Sequence, residues 1–126
     1  MKLRIQRISN LEKIYDGFED GFYEQDHLIN CPICNENKTF RVLRLKEFRE
    51  LDNNLRIQLM HEIEHINEKL LSTITTYSYY NLSVEYISYV CDKYQTEIIA
   101  ILAVGEWQPA RYQVILLGLF EICKDI

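Results

Sequence analysis

Asn30-Cys31-Pro32-Ile33-Cys34-Asn35, followed by Thr39-Phe40-Arg41-Val42-Leu43, is the stretch on which the reading of this chain turns. A Cys-x-x-Cys turn points two sulfurs the same way, so two thiolates can grip one metal ion. The run after the turn reads as a strand, with Phe40 and Val42 on one face. Asn35 tolerates the left-handed conformation that such a turn needs after its second cysteine. A third cysteine, Cys91, stands where a second turn of this kind is expected.

Composition bounds what such a turn can serve. The chain has 126 residues, enough for one domain with a real core. Hydrophobic residues make up 48% and charged residues 26%, a globular composition rather than a disordered one. The net charge of −5 disfavours a general nucleic-acid binder and suits a protein that meets other proteins. No apolar run reaches the ~18–20 residues that span a bilayer. Met1-Lys2-Leu3-Arg4-Ile5-Gln6-Arg7 alternates charge with apolar residues, unlike a signal peptide. The expected location is therefore the cytoplasm, where thiols stay reduced and Cys-x-x-Cys serves metal or redox chemistry before disulfides. The abundance of Ile, Asn, Tyr and Lys fits a bacterial or phage source.

On the N-terminal side, residues 2–8 alternate as a half-buried strand. Leu11, Ile14 and Tyr15 can begin a helical turn. Asp16-Gly17 and Asp20-Gly21 are turn signals, with Phe18, Phe22 and Tyr23 tucked inward around them. On the C-terminal side the period changes. Leu51, Leu55, Leu59, Ile63, Ile66 and Leu70 recur at steps of four and three, which predicts a long amphipathic helix over about 46–75. Thr73 to Tyr80 is β-branched and aromatic and returns the chain to extended form. Leu82–Val90 alternates and Glu97–Val104 is almost wholly apolar, so the two runs predict an antiparallel hairpin. Pro109 suits the first turn of a helix, and residues 110–124 are apolar nearly all round. They predict a buried C-terminal helix over about 109–124, or half of a homo-oligomer interface.

Cys31-Pro32-x-Cys34-Asn35 with Phe40 resembles the first knuckle of a zinc ribbon, and Cys91-Asp92-Lys93-Tyr94 resembles the second. The resemblance implies one structural zinc at the tips of two hairpins, in knuckle-like elements over about 27–45 and 82–104. The helix over about 46–75 would then be an insertion. This sequence departs from the pattern at Tyr94, where a cysteine is needed. Structural zinc is nearly always four-coordinate. The fourth ligand must then come from His27, Asp92, His61, His65 or Cys123, with His27 favoured because it lies close in sequence. Two other readings stay open: cysteines that are small buried hydrophobes without metal, and a thioredoxin-like redox pair, which needs a helix where a strand follows.

His61-Glu62-Ile63-Glu64-His65 matches His-Glu-x-x-His. One helical turn between the histidines puts both on one face, able to bind zinc, with Glu62 as general base on a bound water. The motif resembles the zincin metallopeptidases. Glu64 is charged where that family is uncharged, no clear third ligand follows, and the histidines fall opposite the Leu/Ile stripe, as on a plain solvated face.

Lys38, Arg41, Arg44, Lys46 and Arg49 form a basic stretch that a zinc ribbon can present to nucleic acid, with Phe40 for stacking. The bland reading is outward residues offsetting nearby acids. Tyrosines crowd 77–94; Tyr79 and Tyr86, with Trp107 and Tyr112, are the candidate partner-binding residues. The sequence therefore points to an α+β domain over 1–126, with a small antiparallel sheet, a zinc-ribbon-like element and two helices. The expected function is a non-enzymatic interaction or regulatory module in a bacterial or phage complex. The expected metal ligands are Cys31, Cys34, Cys91 and His27. The alternatives are a zinc-dependent hydrolase using His61, Glu62 and His65, and a nucleic-acid contact module.

Overall fold

The computed structural model describes residues 2–125. In chain order the elements are β1 (Lys2–Ser9), β2 (Glu12–Gly17), α1 (Glu19–Glu24), β3 (His27–Asn30) and β4 (Asn37–Phe40). A 3-10 turn (Val42–Arg44), β5 (Lys46–Glu47), a second 3-10 turn (Phe48–Glu50) and α2 (Asn53–Glu62) follow. The chain closes with β6 (Ile66–Leu71), β7 (Ile74–Tyr79), β8 (Leu82–Cys91), β9 (Thr96–Gln108) and β10 (Arg111–Asp125).

Eight strands form one antiparallel sheet in the order β1-β10-β9-β8-β7-β6. β2 continues the edge that β1 starts along β10, and β5 pairs with β8 beside β7. β3 and β4 make a separate hairpin laid over one face. β9 is the middle of the sheet, and every side chain from Ile98 to Val104 is buried. Ile98, Ala100, Leu102 and Val104 point into one layer with Phe22, Ile29, Cys31, Phe40 and Val42. Ile99, Ile101 and Ala103 point into the other, under Phe48, Leu55, Leu59 and Ile63. The wholly apolar run of β9 follows from being covered twice. Each such aliphatic side chain contributes roughly 1.5–3 kcal/mol on burial.

The structure corrects the fold class: it is mainly an antiparallel sheet, with neither the long helix nor the C-terminal helix. Over 46–75 only α2 is α-helical, and it is ten residues long. Asp52 caps it by accepting from the Asn54 and Leu55 N–H groups at 3.1 and 3.4 Å. Leu51, Leu55, Leu59 and Ile63 do form a buried stripe. The stripe stops there, because His65 takes a left-handed φ of 71° and the chain turns into β6. Leu70, which continues the four-and-three spacing, is 67% exposed on β6. Its place in the periodicity is coincidence.

Residues 109–124 are not a helix but a turn and most of β10. Pro109-Ala110 is the two-residue loop between β9 and β10, with φ of 63° at Ala110. Proline first and a positive φ second is the pattern of a type II turn. The pairing of β10 with β9 shifts between Leu116 and Gly118. Val114 and Leu116 lie in the cysteine-side layer, as does Leu119, while Leu117 and Phe120 face the helix side. This bulge switches the phase of the alternation, so the apolar residues do not repeat every two. With both faces covered, the run looks apolar all round. Its central residues are buried in both layers, so the helix through which self-association was expected is absent.

The smaller N-terminal expectations divide. Residues 2–8 lie in a strand, Leu11–Tyr15 belongs mostly to β2 rather than a helical turn, and Phe22 is buried from α1. β8 and β9 pair antiparallel from Ser83↔Val104 to Cys91↔Thr96, as the alternation leads one to expect. Among the described residues no helix is long and apolar enough to cross a membrane, which says nothing of strands.

Candidate metal centre

Two hairpin tips meet on one face of the sheet. The first joins β3 to β4, closed by the Cys31 N–H donating to the Glu36 carbonyl at 2.9 Å. The second joins β8 to β9, where Cys91 pairs with Thr96. The two turns have one shape. The Asn35 N–H donates to the Cys31 carbonyl at 2.7 Å, and the Gln95 N–H donates to the Cys91 carbonyl at 2.7 Å. Asn35 and Gln95 both take left-handed φ, 58° and 55°. Asparagine accepts that conformation readily, whereas glutamine there is held by its turn.

These tips bring the Cys31, Cys34 and Cys91 sulfurs within 4.8 Å of one another. Sulfurs around one tetrahedral zinc lie about 3.8 Å apart, given Zn–S bonds of about 2.3 Å. The three thiols therefore need to close by an ångström or less to hold one ion. Cys31 and Cys91 are fully buried and Cys34 is partly exposed.

The surroundings favour thiolate at Cys31. Burial pushes its thiol up. The Tyr89 hydroxyl, the N–H groups of Cys34 and Ile33, and the Cys34 thiol outweigh that and hold it down to about 7. At Cys34 the Glu36 N–H lowers the thiol, but burial and the adjacent Cys91 and Cys31 sulfurs raise it above its usual range. The Tyr89 hydroxyl is buried with no nitrogen or oxygen partner among the described residues. The group it faces is the Cys31 sulfur, and a metal-bound sulfur there would accept its proton, a second observation that the pocket fits an anionic sulfur cluster. Lys38 ties the tips together from outside. Its ammonium lies 3.6 Å from Asp92 and 3.7 Å from Glu36, and 5.6 Å from the centre of the Tyr89 ring.

His27 stays outside this group. It is buried at the far end of the β3–β4 hairpin, opposite Phe40, four residues before Cys31. Its Nε2 lies 3.1 Å from the Phe22 carbonyl, and its ring sits between Tyr15 and Phe40. Asp92 is engaged with Lys38, and the Cys123 thiol lies 3.8 Å from Glu121. His61 is on α2, which packs against the opposite face of the sheet. α2 ends at Glu62, so His65 does not share a helix with His61; its ring instead meets Tyr80 at 5.3 Å. The helical support for the His-Glu-x-x-His motif is missing.

The basic stretch is largely engaged. Arg41 donates to Asp26 at 2.8 Å, Arg49 to Glu47 at 2.6 Å, and Phe40 is buried rather than free to stack. The four partner-binding candidates are scattered. Tyr79 and Tyr86 are half-buried against the helix-side layer, and Tyr112 is half-buried against Phe22 and Tyr23. Trp107 alone among them is exposed, at 41%.

Sequence reasoning missed two features here. Tyr89 lies two residues before Cys91 on one strand, and that spacing was the signal placing it on the same face. The β6–β7 hairpin was hidden inside the expected helix. Its tip carries Leu70, Leu71 and Ile74, all exposed, and β7 pairs with β8 only at Ser78↔Ser83 and Tyr79↔Leu82. No protein-family model matches the chain, and no curated protein or solved structure matches it either.

Proposed function

We propose that the chain is a non-enzymatic interaction module of a bacterial or phage complex, pinned by a structural zinc ion on Cys31, Cys34 and Cys91. The observation that carries this reading is the convergence of three sulfurs from two distant hairpin tips of matching shape. Two of the three sulfurs are fully buried, which suits holding the fold together rather than turning over a substrate. The ion supplies a cross-link that a thin layer over the sheet otherwise lacks. Cys34 and Cys31 anchor the β3–β4 hairpin, and Cys91 ties it to the centre of the sheet.

The interaction surface is the β6–β7 arm. Its outer strand β6 pairs only with β7 among the described residues, and its tip offers Leu70, Leu71 and Ile74. A free strand edge beside clustered apolar side chains is the form in which sheets take up a partner segment.

Metal content per chain tests the first half. Wild type and His61→Ala are expected to carry one zinc, and Cys31→Ser none. Metal lost with His61→Ala and kept with Cys31→Ser overturns the assignment. For the second half, a stoichiometric protein partner is expected with wild type and not with Leu70→Ser/Ile74→Ser. A partner held equally by both moves the surface elsewhere. A monomer with no partner under cellular conditions counts against the module itself.

A further inference from the structure

We infer that this chain adds to itself head to tail, the free edge of β2 in one copy pairing with the free edge of β6 in the next, so that one sheet runs on through successive copies. The inference rests on the β6–β7 surface read above and names a second copy of the chain as its occupant.

Among the described residues the sheet has two unpaired ends. β2 pairs only with β10, and β6 only with β7. Leu11, Glu12 and Lys13 are exposed at the first end, and Glu68, Lys69 and Leu70 at the second. Direction, face and charge decide whether two such ends can join.

Direction fits. Every step from β2 through β10, β9, β8 and β7 to β6 is antiparallel. β2 and β6 therefore run in opposite directions, and two copies set side by side in one orientation meet antiparallel. Face fits as well. Glu12 pairs with Leu116 of the cysteine-side layer, and Lys13 with Ile115, which packs on the helix side. At the other end Glu68 pairs with Tyr77 of the helix-side layer, so Lys69 faces the cysteine side.

One register then satisfies charge on both faces. Glu12 stands opposite Lys69 of the next copy, Lys13 opposite Glu68, and Leu11 opposite Leu70. Opposite charges across a strand pair attract, and the leucines, 56% and 67% exposed, gain cover. Lys13 lies 3.7 Å from Asp16, but Arg111 holds that carboxylate more closely, at 2.9 Å. Glu68 meets the Tyr77 hydroxyl and keeps its charge. The bulge at Ile14 bounds the regular run, and beyond it the His27 ring lies against Tyr15.

The same residues disfavour a two-fold pair of β6 strands. Such a pair sets the residue on the axis opposite its own copy. Centred on Glu68 it joins residues 66–70, and centred on Lys69 residues 67–71. Either way like charges meet, and the neighbours on that face, Ile66 and Leu70 or Asn67 and Leu71, carry no charge to offset them. A contact between two different surfaces does not close at two copies; it continues as a series or closes as a larger ring.

The test is sedimentation of the full chain over a concentration series at low salt, where exposed charges are least screened. Wild type is expected to form species beyond the dimer. Glu12→Lys and Lys69→Glu each set like charges in the contact, and each is expected to need roughly fivefold more protein to associate. Mixing the two variants is expected to restore association, because every edge then meets its opposite on the other variant. That recovery also shows that both variants fold. A wild type that stays monomeric, association that stops at two copies, single variants that associate like wild type, or a mixture no better than its components each overturn the inference. A monomeric chain that binds a different protein, and loses it with Leu70→Ser/Ile74→Ser, overturns the inference and leaves the β6–β7 surface standing.

Discussion

Stripping the metal should lower the melting temperature by an amount that the fold itself sets. In the native chain all three sulfurs are already within 4.8 Å. The unfolded chain can still offer the local pair Cys31 and Cys34, but it must close a loop of roughly 57 residues to bring in Cys91, and that closure costs about 4 kcal/mol. The native state therefore binds the ion more tightly by about that amount. As zinc rises past the native affinity, stability grows by about 1.4 kcal/mol per tenfold in concentration, until the unfolded chain also binds. The ceiling is about 4 kcal/mol. For a chain of this size it corresponds to a melting shift of roughly 15 °C. The assay is thermal unfolding followed by circular dichroism, with saturating zinc and with an excess of chelator. Cys91→Ser is expected to lose the zinc dependence, because only that residue makes the long-range link. Melting temperatures that agree to within about 2 °C with and without chelator refute the reasoning. The cysteines are then ordinary buried side chains.

Other perturbations test the frame. Gly118→Ala places a methyl 2.6 Å from Arg7 Nη1 and 2.9 Å from the Phe120 ring, where Arg7 also lies 4.8 Å over that ring and donates to the Leu117 and Glu62 carbonyls. Denaturant titration should show a loss of roughly 1–3 kcal/mol. Leu59→Ala, at a fully buried site under the sheet, should cost about 2–5 kcal/mol by the same assay. Glu85 faces Glu47 across β8 and β5, and burial first, then that like charge, raises its carboxyl above the usual range. Its ionisation therefore opposes folding: the stability it allows is full below its ordinary value of 4.5 and declines as pH rises through the higher folded value. Glu85→Gln should accordingly raise the melting temperature at pH 7 and give no gain near pH 4. Glu62→Gln on the exposed end of α2 should leave both metal content and stability unchanged, as read by metal analysis and thermal melts.

Short-range chemistry was legible in the sequence because its signals are local. The Cys-x-x-Cys turn, the left-handed Asn35 and the strand after it depend on residues within ten positions of each other, although that strand ends at Phe40 and the expected continuation through Val42 and Leu43 is a 3-10 turn. The same holds for the β8–β9 hairpin, where alternation meets a buried apolar run across a polar turn. The first four stripe residues, Leu51 to Ile63, are local too, although the helix starts at the Asp52 cap rather than at the expected residue 46. What failed was length and identity of element. Leu51 to Leu70 keeps a helical spacing, yet nothing in that spacing reports that His65 turns left-handed and that the chain beyond it pairs with β7. β10 misled for the opposite reason: a bulge shifts its phase, and two covering layers make both faces apolar.

From sequence alone follow the three candidate thiol donors, the shape of the first knuckle and the missing cysteine at position 94, because each is read from the residue itself and its neighbours. Only the tertiary structure decides that Cys91 meets Cys31 and Cys34, that His27 turns away to a carbonyl, and that the second turn copies the first. Those facts depend on how a sheet of eight strands stacks its layers. Stacking is fixed by contacts between residues far apart along the chain, and no local pattern records them.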